Sequence, residues 1–354
     1  MALHLRKCRT AIATALVTAL LTPLPAIAAG ASAAQRAASC TARSDPALAA
    51  QLSRDIRAVL VARRGTVSVA VHDPATGVSC AIGSSHRYDT ASIVKVMIME
   101  ATLRRAQDWG RGLTAWERRK IRPMIIRSDN TAARRLWDDL GQPYIGRFLG
   151  RAGTTATTLN PYGLWGLTRT SAADQLRILG VLTGARARAL LSPSSRAYGL
   201  KQLNEVRRDQ RWGVPAGMPR GTKAYLKNGW LSRSTHGWRV HSIGAFTGTA
   251  KAKATATSKA RTVTAKARGR TYRIVVLSHD NPTMKYGVRT IERVAQAVHR
   301  ALNKGRSAGQ ELTPENEISE VSDGSAPSEA PVDGSDGSDG ARPEAPPEQD
   351  TANR

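Results

Sequence analysis

Ser92 and Lys95 stand three residues apart in the run Ala91-Ser92-Ile93-Val94-Lys95, the spacing that puts two side chains on one face of a helix. A serine hydroxyl is a weak nucleophile until a neighbouring base takes its proton. A lysine amine is such a base only where its surroundings keep it neutral. The start of a helix adds a second property, because backbone N–H groups of the first turn have no partner within the helix and are free to face a developing negative charge. By itself the pair matches many ordinary helices with a solvated lysine. Thirty-six residues on, Ser128-Asp129-Asn130 precedes the helical run TAARRLWDDLG, where such a string ordinarily serves as a cap. Lys227-Asn228-Gly229-Trp230 then opens a strand.

Taken in this order, on a helix start, an interhelical loop and a strand, the three motifs resemble the SxxK, SDN and KTG set of the class A β-lactamase and penicillin-binding protein superfamily. The resemblance extends from about Ala47 to Leu302. It implies Ser92 as acylated nucleophile, Lys95 as its base and Ser128 as the proton relay to the departing nitrogen. Asn130 then holds a substrate amide, while Lys227, Asn228 and Gly229 line the carboxylate end of the substrate. The backbone N–H groups of Ser92 and Trp230 form the oxyanion hole.

The chain departs from the pattern twice. Asn228 replaces the usual Thr or Ser, although its amide can still donate to a carboxylate. More consequential is the stretch between Asp139 and Asp174, which contains no Asp or Glu and reads Asn160-Pro161-Tyr162 where efficient class A enzymes carry a water-activating glutamate. The resemblance therefore implies an acyl-enzyme that forms readily and hydrolyses slowly. A D-Ala-D-Ala peptidase, a penicillin-accepting sensor and a non-catalytic envelope-binding module remain alternatives. The distance from SxxK to SDN is short for the family, which suits an open cleft. His236 and His241 lie near the third motif and are read as strand-end and core residues, and Gln210-Arg211-Trp212-Gly213 as packing beneath the strand.

Positioning these residues requires a sizeable fold. The 354-residue chain begins with basic Arg6, Lys7 and Arg9, then an apolar run broken by Pro23 and Pro25 ahead of small residues. This is the layout of a secretory signal peptide over residues 1–28. A secreted or envelope location follows, with no transmembrane segment. Removing the leader leaves Cys40 and Cys80 in an oxidising compartment, where one bridge between them is expected.

Residues 46–63 show helical periodicity, Val67, Val69 and Val71 alternate as a strand, and DPATG at 73–77 makes a turn. Thr114 with Glu117, Ser171 with Asp174, and Ser192 before Pro193 mark helix starts. Strands return at 224–232, 238–247 and 271–279, and a last helix fits 284–303. The fold class expected is α+β: about five antiparallel strands flanked by terminal helices, plus a helical part at about 84–215, all within a catalytic domain over 40–304.

Net charge is +26, yet residues 305–354 hold twelve acids against three arginines, so the body is more basic than the whole. The tail, rich in Gly, Ser and Pro, is expected to stay disordered. A basic insertion, 248–270, has no acid. Nucleic-acid binding is not indicated, because aromatic residues are 5% of the chain and no helix-turn-helix or zinc ligand set is present. Anionic cell-wall polymers are the partners a basic exported surface suits. Scattered histidines give no metal site, and no cofactor is expected.

Overall fold

The computed structural model describes residues 39–184, 190–248, 270–304 and 311–327. The expected leader and nearly all of the basic insertion lie outside them. Among the described residues the backbone forms a six-stranded antiparallel sheet, in the order Ser39–Thr41, Val78–Ile82, Thr66–Asp73, Thr271–Asn281, Trp238–Thr247, Lys223–Ser232, and eight α-helices. The expected five strands become six because Ser39–Thr41 (β1) pairs with Val78–Ile82 (β3), placing Cys40 opposite Cys80. The two cysteines are joined by a disulfide. A three-residue strand is too short to be legible as alternation.

The first helix, Pro46–Val61 (α1), starts at Asp45, whose side chain accepts from Leu48 N, with Pro46 in the first turn. Its buried face repeats as Ala49, Leu52, Ile56 and Leu60. Burying each of the larger three stabilises by about 1.5–3 kcal/mol. The last helix, Met284–Leu302 (α8), packs beside α1 and buries Val288, Ile291, Val294 and Val298.

Strands β2 (Thr66–Asp73), β7 (Trp238–Thr247) and β8 (Thr271–Asn281) form the middle of the sheet. Side-chain alternation on β8 divides the interior: Ile274 and Val276 face α1 and α8, whereas Val275 and Leu277 face the helical part. β6 (Lys223–Ser232) is an edge strand, paired with β7 along its whole length. Its outer side has no neighbouring strand among the described residues.

The helical part surrounds Val94–Asp108 (α2), buried on nearly every side, including Lys95 and Glu100. Around it stand Ala115–Ile126 (α3), Asn130–Leu140 (α4), Gln142–Arg151 (α5), Ala172–Thr183 (α6) and Pro193–Asn204 (α7). Thr114 and Glu117 close a reciprocal capping box at α3, and Ser171 and Ser192 cap α6 and α7. Short strands Arg87–Asp89 (β4) and Arg169–Ser171 (β5) pair on the way into and out of this part.

The tail departs from its expected disorder over the described residues 311–327. Thr313 bonds to Glu292 on α8, Ile318 is buried in the α1/α8 core, and the Glu320 carboxylate accepts from Met284 N and Lys285 N. Glu320 thus caps α8, where an acid meets the positive end of the helix. Composition hid this, because one buried isoleucine and one capping acid suffice to dock a short segment onto an existing surface.

Candidate active site

A 3₁₀ turn, Ala91–Ile93, precedes α2, so Ser92 sits at the helix entrance with its hydroxyl pointed into a buried space. Lys95 Nζ lies 2.7 Å from Ser92 Oγ. The same nitrogen is 2.9 Å from Ser128 Oγ, 2.7 Å from Ser128 O and 2.6 Å from Asn130 Oδ1. Carbonyl oxygens only accept, so two amine hydrogens go to Ser128 O and Asn130 Oδ1. A neutral amine then has one lone pair left to receive the Ser92 proton.

Burial pushes the Lys95 amine down to about 8 from an ordinary 10.5, against the pull of Asp323 and Asp129. Lys227, also fully buried, is held well below its ordinary value by burial and then by the Lys95 charge. Its Nζ reaches Ser128 Oγ at 3.0 Å and Asn228 O at 2.7 Å. The Ser128 hydroxyl therefore stands between two amines. Ser128 adopts φ +57° and Ala91, just before the nucleophile, φ +45°. Left-handed backbone at residues other than glycine persists only where surroundings enforce it, which is common at reactive sites.

Gly229 explains how β6 reaches this entrance. A Cβ there would meet Ser92 N at 2.7 Å and Ile93 N at 2.9 Å, so only glycine lets the strand approach the turn. The approach aims two backbone donors at one point: Ser92 N and Trp230 N both donate to Asp323 Oδ2, at 3.0 and 3.2 Å. Asn130 Nδ2 donates to Asp323 O at 2.9 Å.

The structure thus brings together Ser92, Lys95, Ser128, Asn130, Lys227, Gly229 and Trp230. It places Asn228 elsewhere. The Asn228 amide donates to Gln210 O and Trp212 O, each at 2.9 Å, so it ties the 210–212 loop to the back of β6 instead of facing substrate. Strand alternation is the reason, since neighbours of Lys227 and Gly229 point to the other face. Trp212 is buried against Trp230.

His241 is buried with Nε2 2.8 Å from Asp89 O, and burial lowers it to about 4. His236 stands with His279 and Asp280, whose ligand-type atoms all lie within 4.8 Å of one another. That grouping was invisible in sequence, where His236 and His279 are 43 residues apart. Neither His236 nor His241 is a hydrogen-bond partner of Ser92, Lys95 or Ser128 among the described residues.

Two further residues escaped the sequence reading. Trp165 holds its ring 5.0 Å from Lys95 Nζ, adding to the amine's shielding. Asp323 lies in a segment read as disordered. Asn160, where the glutamate was missing, spends its carbonyl on Tyr162 N and Leu164 N within its own turn.

The Beta-lactamase enzyme family profile matches residues 51–115 and 118–302, most of the described chain. The chain belongs to this family. The fold agrees: it is similar to the TLA-1 extended-spectrum β-lactamase at TM-score 0.58 and 15% identity, covering 72% of this chain and 98% of that one. It is similar to PBP-A at TM-score 0.57 and 18% identity, covering 73% and 97%. In sequence it resembles the protein named "Putative lipoprotein LppW" in Mycobacterium bovis and Mycobacterium tuberculosis, 29% identical over 184 residues. That match covers 51% of this chain and 58% of the relatives' length. No described helix is long and apolar enough to cross a membrane.

Proposed function

We propose that this family member is an exported serine acyl-transfer enzyme whose Ser92 is acylated by β-lactams or D-Ala-D-Ala-type amides. One observation carries the reading: Ser92 Oγ has a shielded amine 2.7 Å away, beside a point where two backbone N–H groups already hold an anionic oxygen. In the first step Ser92 Oγ attacks the amide carbonyl and its proton passes to neutral Lys95. The carbonyl oxygen, now negative, takes the place held by Asp323 Oδ2, where preorganised donors stabilise it. Ser128 donates its proton to the departing nitrogen and is resupplied by the amine beside it.

Release of the acyl group needs an activated water. Among the described residues of the 154–171 segment, no carboxylate is present to supply one, and Asn160 is committed to its turn. We therefore favour a slowly turning-over enzyme, a penicillin-accepting protein more than an efficient resistance enzyme. A mutant of PBP-A, a protein similar to this chain in fold, has been captured as an acyl-enzyme with penicillin G.

The test is intact mass after exposure to benzylpenicillin, run on the full chain and on Asp323→Ala, in which the carboxylate no longer fills the hole. A persistent adduct on Ser92, absent from Ser92→Ala, supports the reading. An adduct undiminished in Ser92→Ala, or none on either the full chain or Asp323→Ala, overturns it.

A further inference from the structure

The edge strand β6 meets the tail on its outer side at Trp230 and Ser232. Asp323 N donates to Trp230 O at 3.0 Å, while Trp230 N donates to the Asp323 side chain. Ser232 N donates to Ser322 Oγ at 2.8 Å, and the Trp230 indole N–H to Val321 O at 2.7 Å. Beyond Asp323 the chain turns. Ser325 N bonds back to Asp323 Oδ1, and Gly324 at φ +67° passes so close to Asn130 that a Cβ would lie 2.8 Å from Nδ2. Ser325 is buried against Gly166, where a Cβ would meet Ser325 O at 2.2 Å. The segment is held at its other end by Ile318 in the core and by Glu320 on the start of α8.

The groups that would receive an acyl donor's carbonyl and amide are therefore engaged by the tail. The two oxyanion donors, the Asn130 amide and the outer edge of β6 all contact residues 321–325. Charge favours the arrangement, since an acidic tail meets a strongly basic body and the Asp323 carboxylate stands near Lys95 and Lys227. Adding a strand to an exposed sheet edge is an established way for proteins to bind extended peptides.

We propose that the cleft beside β6 is a binding site for an extended acidic peptide segment, and that residues 318–325 of this chain are its resident ligand, closing the enzyme until they are displaced. The consequence for acylation rests on the function proposed above, whereas occupancy of the cleft does not. The ligand has a minimal form in the triplet Asp323-Gly324-Ser325. The same triplet recurs as Asp333-Gly334-Ser335 and Asp336-Gly337-Ser338, giving the tail further copies of the bound unit.

The test uses the full chain, Asp323→Ala, the triple variant with Asp333→Ala and Asp336→Ala, and Ile318→Ser. Amide exchange at Trp230 and Ser232, read by NMR, reports occupancy without any reaction. Slow exchange in the full chain that becomes roughly tenfold faster or more in the triple variant or in Ile318→Ser is the expected result, that being the scale of one charge-assisted hydrogen bond. Labelling by a fluorescent penicillin should accelerate by a similar factor in the same variants. A synthetic peptide of residues 320–327 added to the triple variant should slow labelling again, and its Asp-to-Asn form should do so far less. Exchange at both amides that is equal in all four proteins overturns the proposal, whatever the labelling shows. Accelerated exchange with no labelling in any variant keeps the peptide site and overturns only the acyl-transfer function.

Discussion

Lys95 and Lys227 point their amines at one hydroxyl, Ser128 Oγ, from 2.9 and 3.0 Å. Two ammonium groups sharing one hydroxyl in a dry site repel each other, and the Lys95 charge adds to burial in holding Lys227 well below its ordinary value. Burial brings Lys95 itself down to about 8.

That value sets the pH dependence of acylation. Lys95 acts as a base only when neutral, and it gains a proton as pH falls through about 8. The second-order rate of penicillin labelling should therefore be level above about pH 8 and fall roughly tenfold per unit below it. Measured on Asp323→Ala across pH 5.5 to 9.5, the break should move below 8, because the carboxylate that pulls Lys95 upward is gone, and a flat profile would show that some other group takes the proton.

Gly229→Ala should disable the site while leaving the molecule folded. The new Cβ would press on Ser92 N and Ile93 N, shifting the donors that face the oxyanion. Losing one such donor typically costs about 10²–10³ in rate, and labelling should drop on that scale. Gly150→Ala is the control, since no atom lies within 4 Å of its would-be Cβ. Equal labelling in both variants would mean that β6 does not set the hole.

Reducing the Cys40–Cys80 bridge should lower stability without touching chemistry. The bridge spans a sequence separation of 40, for which loop entropy gives roughly 3–4 kcal/mol. Cys40→Ser with Cys80→Ser should lower Tm by several degrees and leave labelling at 25 °C unchanged. An identical Tm would show that β1 is held by its strand pairing and the Cys40 N to Ser53 Oγ bond alone.

Glu100 on α2 is fully buried, neither carboxylate oxygen has a hydrogen-bond partner among the described residues, and burial holds its pKa well above the ordinary 4.5. For an acid whose folded pKa is raised, stability is fully present below the unfolded pKa and is lost as pH rises toward the folded one. Glu100→Met keeps the volume and removes the polar group, so it should stabilise by about 1–3 kcal/mol, more at pH 8 than at pH 5. Denaturant melts at the two pH values test this. Destabilisation at both would show that the carboxyl has a partner.

The sequence by itself named most of the residues that meet in the site. Ser92, Lys95, Ser128, Asn130, Lys227 and Gly229 were legible through the resemblance that three motifs in order carry, since each string alone reads as an ordinary helix start, cap or strand. Helix starts at Thr114, Ser171 and Ser192 were legible for the same reason, since a cap is a contact over three residues. Tertiary structure alone decided which face of β6 Asn228 takes, whether Ser39–Thr41 finds a strand to pair with, and that His236 meets His279. It also decided that Asp323 crosses 231 positions of sequence to lie on the Ser92 amide. A low-complexity acidic segment carries too little apolar surface to signal a fold of its own. Its order is supplied by the surface it lands on: an open sheet edge, a helix start and two converging N–H groups that exist only once the rest of the chain has folded.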